Sequence, residues 1–269
     1  MSYKNLVDMH VHTDNSFDGN DNVMAICEKA CGLKARALAF TDHCEIDSKD
    51  CNLRKCTIPT YFEVMKARNA FTGELIVIEG IELGQAIYNK ELAENILNSL
   101  QYDFVLGSIH NLKDMEDFFY LDYSKYDIDE LLNKYFDTLF ELTCWNKFDS
   151  LAHLTYPLRY IVGEQGIDVD LNKYKGKIEA IYDMLIKNEK ALEINTSGLR
   201  QPYGQCLPNK ELLQLYHDMG GQYITFGSDA HFVNDITKGI EQGYKMAYDC
   251  GFRQFTLFEH RMPLQIDIE

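Results

Sequence analysis

The chain has 269 residues, 46% of them hydrophobic, and a formal net charge of −16. This composition is typical of a globular protein with a full core, and the charge argues against a nucleic-acid partner because it repels phosphate backbones. The sequence has neither the apolar run of about 18 residues that a membrane span needs nor a signal-peptide pattern at its N-terminus. We therefore expect a cytoplasmic protein with no nucleic-acid or membrane partner.

The predicted elements alternate along the chain. Strands are expected at residues 6–11, 37–40, 75–81, 104–109, 150–152, 191–194, 223–226 and 255–258, and helices at 23–31, 61–70, 92–100, 128–143, 178–188, 210–219 and 236–250. Strands that alternate with helices indicate a parallel sheet. So many repeats of this unit in one chain of this length favour a closed α/β barrel.

The cysteines support a reducing compartment. The chain has eight, and none form a CxxC pair, so we expect thiols that behave mostly as small buried apolar residues. Cys44, Cys51 and Cys56 share one predicted loop, which leaves a peripheral zinc cluster open as an alternative.

Polar residues recur where the predicted strands end. In a barrel, the C-terminal ends of the strands converge on one face, which carries the active site. A single polar residue at such an end is uninformative, but a repeated pattern predicts a site on that face. The residues in these positions are His12, His43, Glu82, His110, His153, Glu193 and Asp229.

The spacing of the histidines predicts a metal centre. His10 and His12 are two residues apart in a strand, so both imidazoles lie on one face. Asp229 and His231 repeat this spacing with a carboxylate. With His43, Glu82, His110 and His153, these groups exceed the roughly three protein ligands of a mononuclear catalytic site. We therefore predict two or three metal ions and a bridging carboxylate, whereas His217 and His260 are expected at the surface.

The motifs that contain these polar residues resemble those of a known family. The motifs that carry the resemblance occur in order over nearly the whole chain: Asp8-Met9-His10-Val11-His12, Thr41-Asp42-His43, Gly80-Ile81-Glu82, Gly107-Ser108-Ile109-His110, Ala152-His153 and Ser228-Asp229-Ala230-His231. Together they are similar to the polymerase-and-histidinol-phosphatase (PHP) superfamily. The stretches around Ala152–Arg159 and Leu192–Arg200 are most similar to its histidinol-phosphate phosphatase branch.

The resemblance implies one domain over residues 1–269, folded as a distorted (β/α)7 TIM-like barrel with a trinuclear site. One metal would be held by His10, His12, Glu82 and Asp229, and a second by Glu82, His110 and His153, with Glu82 bridging. A third would be held by Asp18, His43 and His231. Asp18 is assigned on the resemblance alone. Imidazoles and carboxylates suit zinc, iron and manganese alike.

The resemblance also implies hydrolysis of L-histidinol phosphate in histidine biosynthesis. We expect direct attack by a metal-activated water, with Glu82, Asp229 and His231 serving catalysis as well as metal binding. Arg159 and Arg200 follow strand ends, and their planar guanidinium groups suit a phosphate.

Some roles stay open at this stage. Glu193 could support a metal ligand, bind a substrate ammonium or be an ordinary barrel-interior carboxylate, and Asp8 and Asp42 are expected to orient ligand imidazoles. Another PHP-type phosphoesterase, acting on a diester or another small phosphate, and a non-catalytic metal-binding barrel are the alternatives. The sequence does not determine the native metals, the oligomeric state or the general acid.

Overall fold

The structure is a computed structural model that describes residues 5–49, 51 and 57–268, so Cys56 lies outside the described residues. Its strands are β1 (Val7–Val11), β2 (Ala37–Phe40), β3 (His43–Glu45), β4 (Ile76–Gly84), β5 (Phe104–Ser108), β6 (Ser150–Leu151), β7 (Ala191–Asn195), β8 (Ile224–Gly227), β9 (Gln254–Glu259) and β10 (Met262–Asp267). Its α-helices are α1 (Val23–Gly32), α2 (Ile58–Ala70), α3 (Lys90–Leu97), α4 (Ile128–Trp145), α5 (Lys175–Lys187), α6 (Lys210–Asp218) and α7 (Ile240–Asp249).

Seven of the strands form a nearly closed parallel barrel, in the order β1-β2-β4-β5-β6-β7-β8. β3 pairs with β4 outside this order, and β9 and β10 form a separate antiparallel pair. The ring is joined by a parallel bridge between Val11 and Ala230. Two backbone hydrogen bonds support this junction, from His12 N to Ala230 O (2.9 Å) and from Asp229 N to His10 O (2.8 Å). The junction therefore brings the two ends of the predicted site, His10–His12 and Asp229–His231, side by side.

The strands are buried on both faces, as a parallel sheet covered by helices requires. Polar side chains cap the first turns of several helices and account for where those helices begin. Asn22, Asn89, Asp127 and Asn209 each accept a hydrogen bond from a backbone N–H in the following turn. The predicted barrel is thus confirmed, and most predicted elements begin within three residues of the observed ones.

Three differences from the predicted elements concern the site. β4 continues through Glu82 to Gly84 because it pairs with β3 on one side and β5 on the other, so Glu82 lies inside a strand. The short strand β3 was not predicted. The helix predicted at 236–250 begins only at Ile240, because the preceding Gly239 has a left-handed φ of 83° that a helix cannot contain.

The predictions that two histidines lie at the surface and that most cysteines are buried are confirmed in part. The His260 side chain is 77% exposed, as expected, but His217 is half-buried because its ring packs edge-on against Phe252. Cys27, Cys44, Cys206 and Cys250 are buried and Cys144 is exposed. In the described ranges, the helices are too short or too polar to cross a membrane.

Candidate functional site

The structure brings all nine predicted metal ligands together at the C-terminal ends of the barrel strands. Glu82 lies at the centre and is buried, and its two carboxylate oxygens face different groups of imidazoles. The complete set is His10, His12, Asp18, His43, Glu82, His110, His153, Asp229 and His231.

The first group gathers around Glu82 Oε2. His10 Nε2 lies 3.2 Å from this oxygen and 3.0 Å from His12 Nε2. His12 Nε2 lies 3.5 Å from both Glu82 Oε2 and Asp229 Oδ1. The ligand atoms of His10, His12 and Glu82 all lie within 4.8 Å of one another and could hold one metal ion.

The second group gathers around the other oxygen of Glu82. Oε1 lies 3.0 Å from His110 Nε2 and 2.9 Å from His153 Nε2, and these two nitrogens are 3.3 Å apart. The position of Glu82 between the two groups is the one that a bridging carboxylate needs.

The third group lies closest to solvent. Asp18 Oδ2 is 3.1 Å from His231 Nε2 and 3.6 Å from His43 Nε2. His12 contributes here as well, since its ring stacks between those of His43 and His231 at centroid distances of 4.3 and 4.2 Å. The Asp18 side chain, which only the resemblance pointed to, is 39% exposed.

Three of the imidazoles are held from behind through their Nδ1 atoms. His10 Nδ1 lies 2.7 Å from Glu193 Oε1, and His12 Nδ1 lies 3.3 Å from Ser16 Oγ. His110 Nδ1 lies 3.0 Å from Glu45 Oε1. An ionised carboxylate can only accept a hydrogen bond, so His10 and His110 must donate from Nδ1, and Nε2 faces the cluster. This is the arrangement that metal-binding histidines adopt.

Glu193 therefore supports a predicted ligand, which was one of the roles left open for it. Its second oxygen accepts the backbone N–H of His153 at 2.7 Å. The close packing depends on Gly227, because a Cβ there would lie 2.2 Å from Glu193 Oε1 and 2.4 Å from His10 Cβ.

Asp8 and Asp42, which were expected to orient ligand imidazoles, reach the site through other groups. Asp8 accepts hydrogen bonds from the backbone N–H and hydroxyl of Ser228 and from Thr237 N, and so fixes the segment that leads to Asp229. Asp42 binds Thr13, Ser16 and Thr60. Asp42 therefore contacts His12 through Ser16, whose hydroxyl lies 3.3 Å from His12 Nδ1. That the two carboxylates orient ligand imidazoles stays a prediction.

The charges of the cluster fit a divalent cation. Burial opposes protonation of His10, yet the carboxylates of Glu193, Glu82 and Asp229 raise its pKa well above the usual value. Burial likewise opposes ionisation of Glu82, but the surrounding imidazoles lower its pKa well below the usual value. The buried carboxylates thus attract positive charge to this point, and a divalent cation supplies it when it replaces the protons.

The backbone is strained at two of the predicted ligands. Asp229 has a φ of 54° and His153 a φ of 20°, a region that residues other than glycine seldom occupy. Strained residues of this kind cluster at functional sites because the surrounding structure must hold them in place.

Two arginines carry buried donors beside the cluster. Arg159 Nη2 donates to Asp229 Oδ2 (3.0 Å) and Ser197 Oγ (2.8 Å), and Arg200 Nη2 donates to Ser228 O (2.8 Å). Arg159 Nε and Arg200 Nη1 are buried without a hydrogen-bond partner among the described residues. Buried polar groups are normally paired, so these two donors are available to an anion.

The sequence matches the PHP domain family over residues 8–197. The chain belongs to this PHP family. Among its relatives, a protein described as "Probable histidinol-phosphatase" from Thermotoga maritima is 31% identical over 88% of this chain and 89% of its own length. A "Probable histidinol-phosphatase" from Clostridium acetobutylicum is 28% identical over 95% of this chain and 97% of its own.

Solved structures agree on the fold. The PHP chain superimposes with a TM-score of 0.83 on a histidinol phosphate phosphatase from Lactococcus lactis, solved with zinc, L-histidinol and phosphate. The two share 22% identity, and the match covers 96% of this chain and 98% of the other. A likeness to a putative histidinol phosphatase from Listeria monocytogenes has a TM-score of 0.75, with 19% identity over 88% and 99% of the two chains.

The sequence did not identify the residues that hold the predicted ligands and arginines in place. Ser16 lies in a loop and Ser197 begins a short 3-10 helix. Only the fold shows that they touch His12 and Arg159. Glu45 could have been found, because it is two residues after His43 and alternate residues of a strand share a face.

Proposed function

We propose that this protein is a metal-dependent phosphomonoesterase that hydrolyses L-histidinol phosphate to L-histidinol and phosphate. One observation carries the proposal: the cluster of imidazoles and carboxylates adjoins two buried arginine donors that have no acceptor within the described part of the chain. The similarity to histidinol-phosphatases over most of the chain supports this substrate.

In this proposal the nine predicted ligands hold two or three ions, of zinc, iron or manganese. His10, His12, Glu82 and Asp229 would hold one ion, and Glu82, His110 and His153 a second. Asp18, His43 and His231 would hold the third. Ions in such a site supply Lewis acidity, and they lower the pKa of water enough to make a nucleophile near neutral pH.

The residues of the chain would position the phosphate and neutralise its charge. Arg159 and Arg200 direct Nε and Nη1 towards the phosphoryl oxygens, whose negative charge they stabilise in the transition state. Arg159 is already fixed by Asp229 and Ser197, and Arg200 by Ser228. The two guanidinium groups are therefore already held beside the cluster before the substrate binds.

Glu193 and Glu82 would maintain the geometry during turnover. Glu193 keeps a proton on His10 Nδ1, so that His10 Nε2 stays directed into the site. Glu82 keeps the first two groups of imidazoles at a fixed separation, since each of its oxygens faces one group.

The proposal favours a small phosphate ester in the cytoplasm over a nucleic acid or a membrane surface. The net charge of −16 disfavours a polyanion, which needs a broad basic surface. The cysteine-rich chain without CxxC pairs fits a reducing compartment.

The test is steady-state release of phosphate by the Zn²⁺-, Fe²⁺- or Mn²⁺-loaded protein. The substrates are L-histidinol phosphate, a sugar phosphate, a nucleotide and bis(p-nitrophenyl) phosphate. We expect the highest kcat/KM for L-histidinol phosphate. A preference for the diester would instead support a PHP-type phosphodiesterase.

A further inference from the structure

Glu45 touches two imidazoles that belong to different groups of the cluster. Its Oε1 lies 3.0 Å from His110 Nδ1, with hydrogen-bond geometry, and 3.1 Å from His43 Nδ1. His110 faces Glu82 Oε1 through its other nitrogen. His43 faces Asp18 through its other nitrogen, and its Nδ1 also lies 3.1 Å from Glu82 Oε2. One carboxylate oxygen of Glu45 therefore lies behind His110 and beside His43, and its hydrogen bond is to His110.

The register of β3 on β4 explains how Glu45 reaches this position. His43 pairs with Glu82, and Glu45 pairs with Gly84. Because alternate residues of a strand share a face, His43 and Glu45 point the same way, and so do positions 82 and 84. The carboxylate of Glu45 consequently lies directly over Gly84.

Gly84 leaves the space that this carboxylate occupies. A Cβ at position 84 would lie 2.3 Å from Glu45 Oε2 and 2.8 Å from Oε1. The φ of Gly84 is not in the left-handed region, so the backbone itself would accept alanine. The requirement for glycine here comes from the side chain of Glu45.

The carboxylate is largely shielded from water, since its side chain is 18% exposed. Such an environment strengthens its hydrogen bond to His110 compared with one in water. An ordinary surface glutamate would have neither this shielding nor two imidazoles within 3.1 Å.

We propose that Glu45 is a positioning residue that orients His110 for metal binding, and that Gly84 is kept small to admit it. By accepting the Nδ1 proton of His110, Glu45 directs His110 Nε2 towards Glu82 and His153. This inference rests on the proposed metal-dependent function, but it concerns metal binding and does not depend on the substrate.

The experiment measures Zn²⁺ affinity and stoichiometry in the absence of substrate. The full-length protein is freed of metal, titrated with Zn²⁺ against a chromogenic chelator and analysed for bound zinc. Glu45→Ala should weaken one class of Zn²⁺ sites about 10- to 100-fold, the usual cost of losing a carboxylate behind a ligand histidine. Gly84→Ala should weaken the same class, because the new Cβ displaces the carboxylate.

Two further variants separate positioning from general stability. Glu45→Gln keeps an oxygen that can accept from His110, so it should retain higher Zn²⁺ affinity than Glu45→Ala. Glu94→Gln is the matched control, since Glu94 is also partly buried and accepts one side-chain hydrogen bond, from Trp145 Nε1, away from the cluster. It should bind Zn²⁺ as the wild type does, and circular dichroism should show all four variants folded.

The inference is overturned if folded Glu45→Ala and Gly84→Ala bind Zn²⁺ as tightly as Glu94→Gln does, or if the wild type binds none. Failure of the proposed function has a different signature. A wild-type protein that binds Zn²⁺ through Glu45 but releases no phosphate from L-histidinol phosphate would refute the phosphatase proposal and leave the role of Glu45 intact.

Discussion

Replacing Arg200 by alanine should lower kcat/KM for a phosphomonoester while leaving the metal centre in place. Arg200 Nη2 is fixed on Ser228 O at 2.8 Å, and Nη1 is buried with no hydrogen-bond partner among the residues that the structure describes. The truncation therefore removes a pre-positioned donor but no direct contact to the side chain of a predicted ligand. A hydrogen bond to a charged group contributes about 1.5–3 kcal/mol, which corresponds to a loss of about 10- to 150-fold.

Arg159 provides the comparison. Its guanidinium binds Asp229 Oδ2, and its Nε has no hydrogen-bond partner in the described ranges. Arg159→Ala therefore also removes the ion-pair partner of a buried, predicted metal ligand. We expect a larger loss of kcat/KM than for Arg200→Ala, accompanied by a lower metal content. Arg200→Ala should keep wild-type metal content.

The assay compares L-histidinol phosphate with bis(p-nitrophenyl) phosphate on the wild type and both variants, with bound metal measured on the same samples. A terminal phosphate offers three oxygens to the metals and arginines, whereas a diester offers two, so the losses should be smaller for the diester. Equal losses on both substrates, or an Arg200→Ala variant as active as the wild type, would refute the assignment of these donors to the terminal phosphate.

Other predictions concern the metal centre and pH. His10→Ala should remove bound metal and activity while the barrel stays folded, because His10 contacts three carboxylates from distant parts of the chain. Elemental analysis and circular dichroism test this prediction. Glu82→Gln should cost more activity than the loss of Arg200, since both groups of imidazoles depend on Glu82. Glu79, whose burial raises its pKa to about 8, should make the free energy of unfolding fall between pH 4.5 and 8, by up to about 1.4 kcal/mol per pH unit. Denaturant unfolding of Glu79→Gln should show a flatter profile.

The sign of the Glu79 effect follows from proton uptake. The folded state holds the proton at pH values where an unfolded glutamate has lost it, so stability is greatest below the ordinary pKa and declines as the pH rises towards the folded one. Arg68 opposes the shift, whereas Asp42 and Asp103 reinforce it. A Glu79→Gln profile as steep as that of the wild type would contradict this account. For the metal centre, wild-type metal content in His10→Ala, or turnover within tenfold of wild type in Glu82→Gln, would contradict the assigned roles.

Much of the fold and of the candidate site followed from the sequence alone. Apolar strands alternating with helices indicated the barrel, and polar residues at the strand ends marked the face of the site. Spacing placed His10 and His12 on one face of a strand. Asp18 was the exception among the predicted ligands, because a loop residue beside glycine has no periodic pattern to identify it.

Tertiary structure decided which groups touch. The pairing of β3 with β4 places Glu45 behind His110 and beside His43. The junction between β1 and the segment after β8 places Asp229 beside His10. These contacts join positions far apart in the chain and depend on strand register. Local sequence sets the direction in which a side chain leaves its strand, but it does not determine which distant side chain it meets there.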